Sequence, residues 1–271
     1  MLIVVAWLLL QTSPVQNWVV KRVTNKLSRD LGTKISIKHV DFSLFNKMLL
    51  QGTLVLDKNN DTLLYAGTAK VNITDWFFLK DNITLKYVGL SDAVIHLKRK
   101  DSIWNYQFLV DYFSSPSKKT DTSKNVVKLD LKTVELNNVK VWQQDEWAGQ
   151  NRLISINKMN LDAEVFDMKN KTIKISSVVL DHPVYAEYKY AGLHPKIKIT
   201  TPVKASGLQW NEDDWNILLK DLQIKDGSFS IENQRSIPLA GDRFDGQHII
   251  ASDVNSHLKN IHLILMIFVR Y

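Results

Sequence analysis

Few residues of this chain have the types and the spacing that catalysis requires. The seven histidines are scattered, and His257 and His262 lie five positions apart, which on a strand directs them to opposite faces. The acidic cluster at residues 212–214 lacks the further oxygen ligands of a calcium site. The sequence contains no glycine-rich phosphate loop, no G-x-S-x-G and no H-E-x-x-H motif. We therefore expect a protein that is not an enzyme and that has no catalytic residue, metal or cofactor.

The composition excludes two further classes of function. The chain contains no cysteine, so it forms neither disulfides nor thiolate metal sites. Its net charge of +7 is moderate, and its lysines are spread along predicted strands, as on a solvated sheet face. The densest basic run, residues 98–100, lacks the clustered arginines and stacking aromatics of a nucleic-acid surface. We expect no nucleic-acid partner.

A block of alternating apolar residues recurs four times, starting at Leu85, Leu131, Ile175 and Leu219. Alternation predicts strands, and a nearly constant spacing predicts a repeat architecture. Each block contains a polar cluster that predicts a hairpin turn, centred on Ser91-Asp92, Asn137-Asn138, Asp181-His182-Pro183 or Asp226-Gly227. Three apolar positions are in phase with one another from block to block, that is, they recur at equivalent places in all four blocks. The residues at these positions are Val88, Leu90, Ile95, Val134, Leu136, Val141, Val178, Leu180, Tyr185, Leu222, Ile224 and Phe229.

The segments of the chain differ in composition. We assign residues 1–12 to a partial transmembrane anchor, because residues 1–10 are apolar but about half as long as a bilayer span; a buried helix is the alternative. We predict an amphipathic helix at residues 13–32, with Ser13 as its N-cap, Pro14 in its first turn and Gly32 at its C-terminal end. We predict two β regions, at residues 33–113 and 126–262, which are separated by a polar loop at residues 114–125. Residues 263–271 form an atypical apolar tail.

The predicted fold is mainly β, with the membrane anchor and amphipathic helix followed by an elongated, repeating antiparallel β-sheet. A sheet with one apolar face must bury that face against another layer, and the sequence predicts no helices to cover it. The face therefore meets a second sheet, as in a β-sandwich, or it lines an open, taco-like β-groove. The long period favours the groove. The twelve apolar positions are our candidates for its lining.

The N-terminal part of the chain, residues 14–73, resembles the TamB branch of the AsmA-like proteins. The resemblance rests on the apolar anchor, the Val15-Gln16-x-Trp18 helix, the Leu-Gly-Thr stop at residues 31–33 and the turn and strand at residues 61–65. The recurring L-x-L-x-D/N pattern of the strands also matches. The resemblance extends over residues 1–262 but is weaker in the strands.

This resemblance implies a single-pass protein of the inner membrane of diderm bacteria, with its bulk in the periplasm. It implies that a long, curved β-groove carries phospholipid toward the outer membrane, assists outer-membrane protein assembly, or does both. The family's C-terminal domain, which would contact an outer-membrane assembly barrel, has no counterpart in this sequence. We expect the chain to be a fragment of a longer protein, and whether truncation or a frameshift ended it stays open. The alternative function is a structural β-sandwich scaffold or chaperone-like module that binds outer-membrane protein precursors through strand edges.

Overall fold

The computed structural model of the chain describes residues 12–43, 47–73, 82–114, 126–167, 170–194 and 215–263. Within these ranges it contains two helices and eleven strands. The helices are α1 (Ser13–Leu31) and α2 (Gln107–Ser114). The strands are β1 (Ile35–Ser36), β2 (His39–Ser43), β3 (Lys47–Leu56), β4 (Thr62–Ile73), β5 (Asn82–Arg99), β6 (Val126–Asp145), β7 (Gln150–Asp167), β8 (Thr172–Asp181), β9 (Val184–Lys189), β10 (Asn216–Asn233) and β11 (His248–Leu263).

All eleven strands belong to one sheet, in the order β1-β3-β4-β5-β6-β7-β8-β10-β11, with β2 on β3 and with β9 between β7 and β10. The prediction of a mainly β fold is confirmed. The prediction of an antiparallel sheet is wrong, because β5 pairs with β6 and β10 pairs with β8 and β9 in parallel. Parallel neighbours require a long crossover rather than a hairpin. In the sequence, residues 100–125 connect β5 to β6 and residues 190–215 connect β9 to β10.

The four predicted hairpin turns are instead irregularities within the strand paths. Asp92, Asn138 and Asp226 have positive φ of 51° each and lie inside β5, β6 and β10, whereas His182, at 46°, separates β8 from β9. Asn, Asp and His adopt this left-handed conformation more readily than other residues with a side chain. The register with the neighbouring strands is continuous across Asp92 and Asn138, so these left-handed residues neither end the strand nor add a residue to it. The polar clusters therefore mark a change in alternation rather than a reversal of the chain.

An N-terminal helix is present, as predicted. α1 has Pro14 in its first turn, but its N-cap is Thr12 and not Ser13. It ends at Gly32, whose left-handed φ of 60° allows the amide of Thr33 to bond the carbonyl of Ser28 at 3.1 Å. The apolar stripe of α1 packs against β1 and β2 and closes that end of the sheet.

No helix in the described residues is long and apolar enough to cross a membrane. α1 has the length, but it carries charges at Lys21, Arg22, Lys26 and Arg29 and buries Val23 against the sheet. The predicted localisation, a single-pass inner-membrane protein with its bulk in the periplasm, is therefore corrected, because the part of the chain that the structure describes contains no helix able to span a membrane. Most of the predicted anchor, residues 1–11, lies outside the described residues. So do residues 115–125 of the predicted polar loop and residues 264–271 of the predicted tail.

Candidate functional site: the apolar face of the sheet

The twelve candidate groove residues lie in three rows across the sheet. The first row contains Val88, Val134, Val178 and Leu222; the second contains Leu90, Leu136, Leu180 and Ile224; the third contains Ile95, Val141, Tyr185 and Phe229. β7 completes the rows between β6 and β8 or β9 with Leu161, Met159 and Ile154. Side chains at paired positions of neighbouring strands point to the same face. We call these fifteen residues the apolar face.

The spacing of the recurring sequence block equals the register of the sheet. Val88 pairs with Val134, and Val178 pairs with Leu222, which are equivalent positions of successive blocks. The third row continues this alignment, because the rings of Tyr185 and Phe229 stack with their centroids 5.3 Å apart. Residues at equivalent positions of the sequence blocks are therefore neighbours in the sheet.

The left-handed residues keep the third row on the same face as the first two. Without an irregularity, Leu90 and Ile95 would point to opposite faces, since an odd number of positions separates them. Asp92, with its left-handed φ of 51°, lies between them and changes the alternation without a shift in the register of β5 with β4 or β6. Ala93, which follows it, is buried in the core cluster against which Leu90 packs, and Ile95 lies two positions beyond Ala93. We call the residues Asp92, Asn138, His182 and Asp226 the kink line.

Hydrogen bonds between neighbouring strands hold the kink line together. The Asn138 amide donates from Nδ2 to Oδ1 of Asp92 at 2.7 Å. The Asn255 side chain of β11 donates to Oδ1 of Asp226 at 3.1 Å and accepts from the backbone amide of Asp226 at 3.0 Å. These bonds account for the Asp and Asn residues at positions that sequence reasoning assigned to turns.

Only part of the apolar face is covered by a helix. Val23 of α1 belongs to the core cluster against which Leu90 and Leu136 pack. No helix of the described chain packs along β7 to β11, where most residues of the face are half-buried. With strands about 4.8 Å apart and residues about 3.3 Å apart along a strand, the face measures about 20 Å by 23 Å. An area of this size is comparable to the largest apolar patch of an ordinary monomer, and such patches are often functional.

The opposite side of the sheet is polar. Tyr87 donates to Glu135 at 2.6 Å, and Thr133 donates to Asp162 at 3.2 Å. Burial, together with the Glu135 carboxylate, raises the pKa of Tyr87 to about 12. The sheet is thus amphipathic, with the predicted solvated side opposite the apolar face.

His257 and His262, the two histidines whose spacing was discussed in the sequence analysis, contact β10. His257 bonds Asp221 at 3.0 Å, and His262 bonds Asn216 at 3.1 Å. Among the residues that the structure describes, no three potential metal ligands lie together.

A polar group of residues, which we call the polar end, follows the third row on the same face. Glu187 lies two positions after Tyr185 and is only 7% exposed. Its carboxylate accepts bonds from Arg152 at 2.8 Å, Lys189 at 2.8 Å and Tyr185 at 2.7 Å. Burial opposes the ionised form of Glu187, but the bonds from Lys189, Arg152 and Tyr185 outweigh it and lower its pKa to about 2.

A second ion pair, between Arg99 and the buried Asp145, extends the polar end across β5 and β6. Sequence reasoning missed the polar end. Arg152 and Glu187 come from different strands, and no local pattern shows that they pair.

A cleft of about 630 Å³ lies beyond the polar end, between the β3–β4 turn, the end of β5 and α2. Acidic and basic side chains line it together with Trp104 and Phe108. The buried carboxylate of Asp57 accepts bonds from the amides of Asn59 and Asp61, both at 2.9 Å. These bonds fix the turn between β3 and β4.

The chain matches no protein-family model, and no curated protein is similar to it in sequence. The resemblance to the TamB branch therefore stays a prediction that rests on the residues quoted for it.

Proposed function

We propose that this chain is a non-enzymatic lipid-binding protein related to the TamB branch of the AsmA-like proteins. The apolar face forms the floor of a groove that holds the acyl chains of phospholipids. In this role the protein carries phospholipid toward the outer membrane, assists outer-membrane protein assembly, or does both. The observation that supports the proposal is the alignment of the twelve candidate residues in three rows on one face.

The dimensions of the rows suit an acyl chain. A row of five strands is about 20 Å long, whereas each leaflet of a bilayer core is about 15 Å thick. Each methylene that leaves water for an apolar surface contributes about 0.8 kcal/mol. A chain of some fifteen methylenes would gain on the order of 10 kcal/mol, which offsets its removal from a bilayer only if the apolar contact is continuous. The unbroken rows meet that condition.

The experiment that tests the proposal measures lipid bound to the purified chain. We expect native mass spectrometry to show phospholipid at a stoichiometry of one or more per chain. Delipidated protein should take up phospholipid again from liposomes. Lipid-free protein that takes up nothing from liposomes would contradict the proposal.

The alternative function, binding of extended client chains at a strand edge, is favoured by one feature. Within the described residues β11 pairs only with β10, which leaves its other edge open to a further strand. The second sheet of a β-sandwich is missing from the described part of the chain, since all its strands belong to one sheet. Hydrogen exchange tests this alternative: an unfolded outer-membrane protein precursor should slow exchange of the β11 amides, and unchanged exchange there would exclude it.

A further inference from the structure

The connection between β10 and β11, residues 234–247, presents large apolar side chains to solvent. We call it the β10–β11 loop. Ile237 is 88% exposed, Phe244 is 85% exposed and Leu239 is 49% exposed. Single exposed apolar residues are ordinary on protein surfaces, but three within eight positions of one loop indicate a surface that binds something.

Hydrogen bonds hold this loop in a defined conformation. Asp245 accepts bonds from the amides of Leu239 and Gln247, both at 2.9 Å, and contacts Nδ1 of His248 at 2.8 Å. Asn233, at the end of β10, donates to the side chain of Gln247 at 2.7 Å. The apolar side chains therefore extend from a fixed frame whose polar groups are satisfied.

Two arginines flank the apolar side chains. Arg235 and Arg243 are exposed, and the nearest carboxylate to Arg243, that of Asp242, lies 3.8 Å away with both side chains largely in solvent. Their guanidinium groups are thus free to reach other anions. The loop has no net charge, since it also contains Asp242 and Asp245, but exposed guanidinium groups beside apolar side chains are suited to bind phosphate groups at a membrane surface.

The loop also lies close to the apolar face, just beyond the polar end. β10 leads into it from Phe229 through Ile231, which pairs with Ile249 on the side of the sheet that carries the third row. The amide of Gln234, the first loop residue, bonds the carbonyl of Lys189 at the polar end, at 2.9 Å. A membrane that contacted the loop would therefore lie beside one end of the rows.

We infer that the β10–β11 loop inserts Ile237, Leu239 and Phe244 into the surface of a bilayer that contains anionic phospholipid. Arg235 and Arg243 bind the phosphate groups at that surface. This contact brings one end of the apolar face to the source or destination of its lipid. The inference extends the proposed function, but bilayer insertion and acyl binding depend on different residues, so they are tested separately.

A single fluorescent label on the full chain tests insertion directly, because the native sequence has no cysteine. An environment-sensitive dye at Ile237→Cys reports on the loop and leaves Phe244 in place. The same dye at Ile103→Cys is the matched control, since Ile103 is 62% exposed and lies outside the loop. With vesicles of phosphatidylcholine and phosphatidylglycerol at three to one, we expect a blue shift and a several-fold rise in emission at position 237 alone. An unchanged spectrum at position 237, or equal changes at both positions, would overturn the inference.

Vesicle co-sedimentation of unlabelled variants gives the second measurement. Loss of the Phe244 ring from the bilayer should weaken binding of Phe244→Asp about tenfold, whereas Ile103→Asp should bind like the native chain. Pure phosphatidylcholine vesicles should bind the native chain more weakly than the anionic mixture. If the loop instead binds a protein, Phe244→Asp will bind both vesicles as tightly as the native chain does.

The two hypotheses fail in distinguishable ways. Phe244→Asp should still take up a soluble short-chain phospholipid on the apolar face. Leu180→Asp should lose that uptake and still bind vesicles. A native chain that takes up the soluble lipid but ignores vesicles refutes insertion and leaves the proposed function standing.

Discussion

Replacing Leu180 by Asp places a carboxylate in the middle of the second row of the apolar face. Leu180 pairs with Met159 on one side and with Ile224 on the other, so the new charge interrupts the row where no described helix covers it. The adjacent residue Val179 supplies a matched control. It pairs with Asn160 and Gln223 on the polar side of the sheet, so Val179→Asp adds the same charge to the same strand on the opposite face.

The effect of Leu180→Asp follows from the contact of the carboxylate with hydrocarbon. An Asp side chain in the centre of a hydrocarbon layer costs about 2.5 to 3.5 kcal/mol. A loss of that size weakens acyl binding about 100-fold. Without lipid the introduced carboxylate can reach water, because position 180 is only half-buried, so we expect a fall in stability of about 1 kcal/mol.

Titration of delipidated protein with a fluorescent phospholipid measures this effect. Far-UV circular dichroism of both variants verifies that the sheet has formed. We expect Leu180→Asp to bind about 100-fold more weakly and Val179→Asp to bind like the native chain. Equal losses in the two variants, or no loss in either, would refute the assignment of the apolar face as the lipid site.

Three further predictions concern the elements that support this face. Asn138→Val should lower the free energy of unfolding by about 1 to 2 kcal/mol in urea denaturation, because a β-branched residue is strained at a φ of 51°; Asn138→Gly should lower it less. Glu187→Gln should make the melting temperature less sensitive to acid. The folded-state pKa of Glu187, about 2, is below its ordinary 4.5, so its ionised form stabilises the fold above pH 4.5 and that contribution is lost as the pH falls toward 2; an equally acid-sensitive variant would show that the Glu187 ion pairs do not support the polar end. Gly149→Ala, between β6 and β7, should reduce thermal stability strongly, because an added Cβ would lie 2.1 Å from the carbonyl oxygen of Tyr190. A melting temperature equal to that of the native chain would contradict this close packing of Gly149 against Tyr190.

Twelve of the fifteen residues of the apolar face were named from the sequence, because alternation along a strand determines which side chains share a face; Ile154, Met159 and Leu161 of β7 were not. Their arrangement in rows was not predictable from one strand alone. It follows from pairings such as Leu136 with Met159, which join strands that the sequence pattern did not relate.

The predicted hairpin turns were wrong because Asn and Asp favour turns and also adopt a left-handed φ within a strand, and the local sequence does not separate the two. Asn138 illustrates this: its bond to Asp92 forms only when β5 and β6 lie side by side in parallel. That parallel pairing depends on a crossover that the hairpin interpretation had excluded. The polar end was missed for a related reason, since Arg152 and Glu187 meet only through the pairing of β7 with β9.

Photocrosslinking tests the central claim most directly, because it identifies the face that touches the acyl chain. A phospholipid with a diazirine near the end of one acyl chain is bound to the purified protein and irradiated, and mass spectrometry locates the adducts. We predict adducts on Met159, Leu180 and Ile224, which form one row of the apolar face. Adducts on Asn160 and Val179 of the polar side, or an even distribution over both sides, would contradict the account.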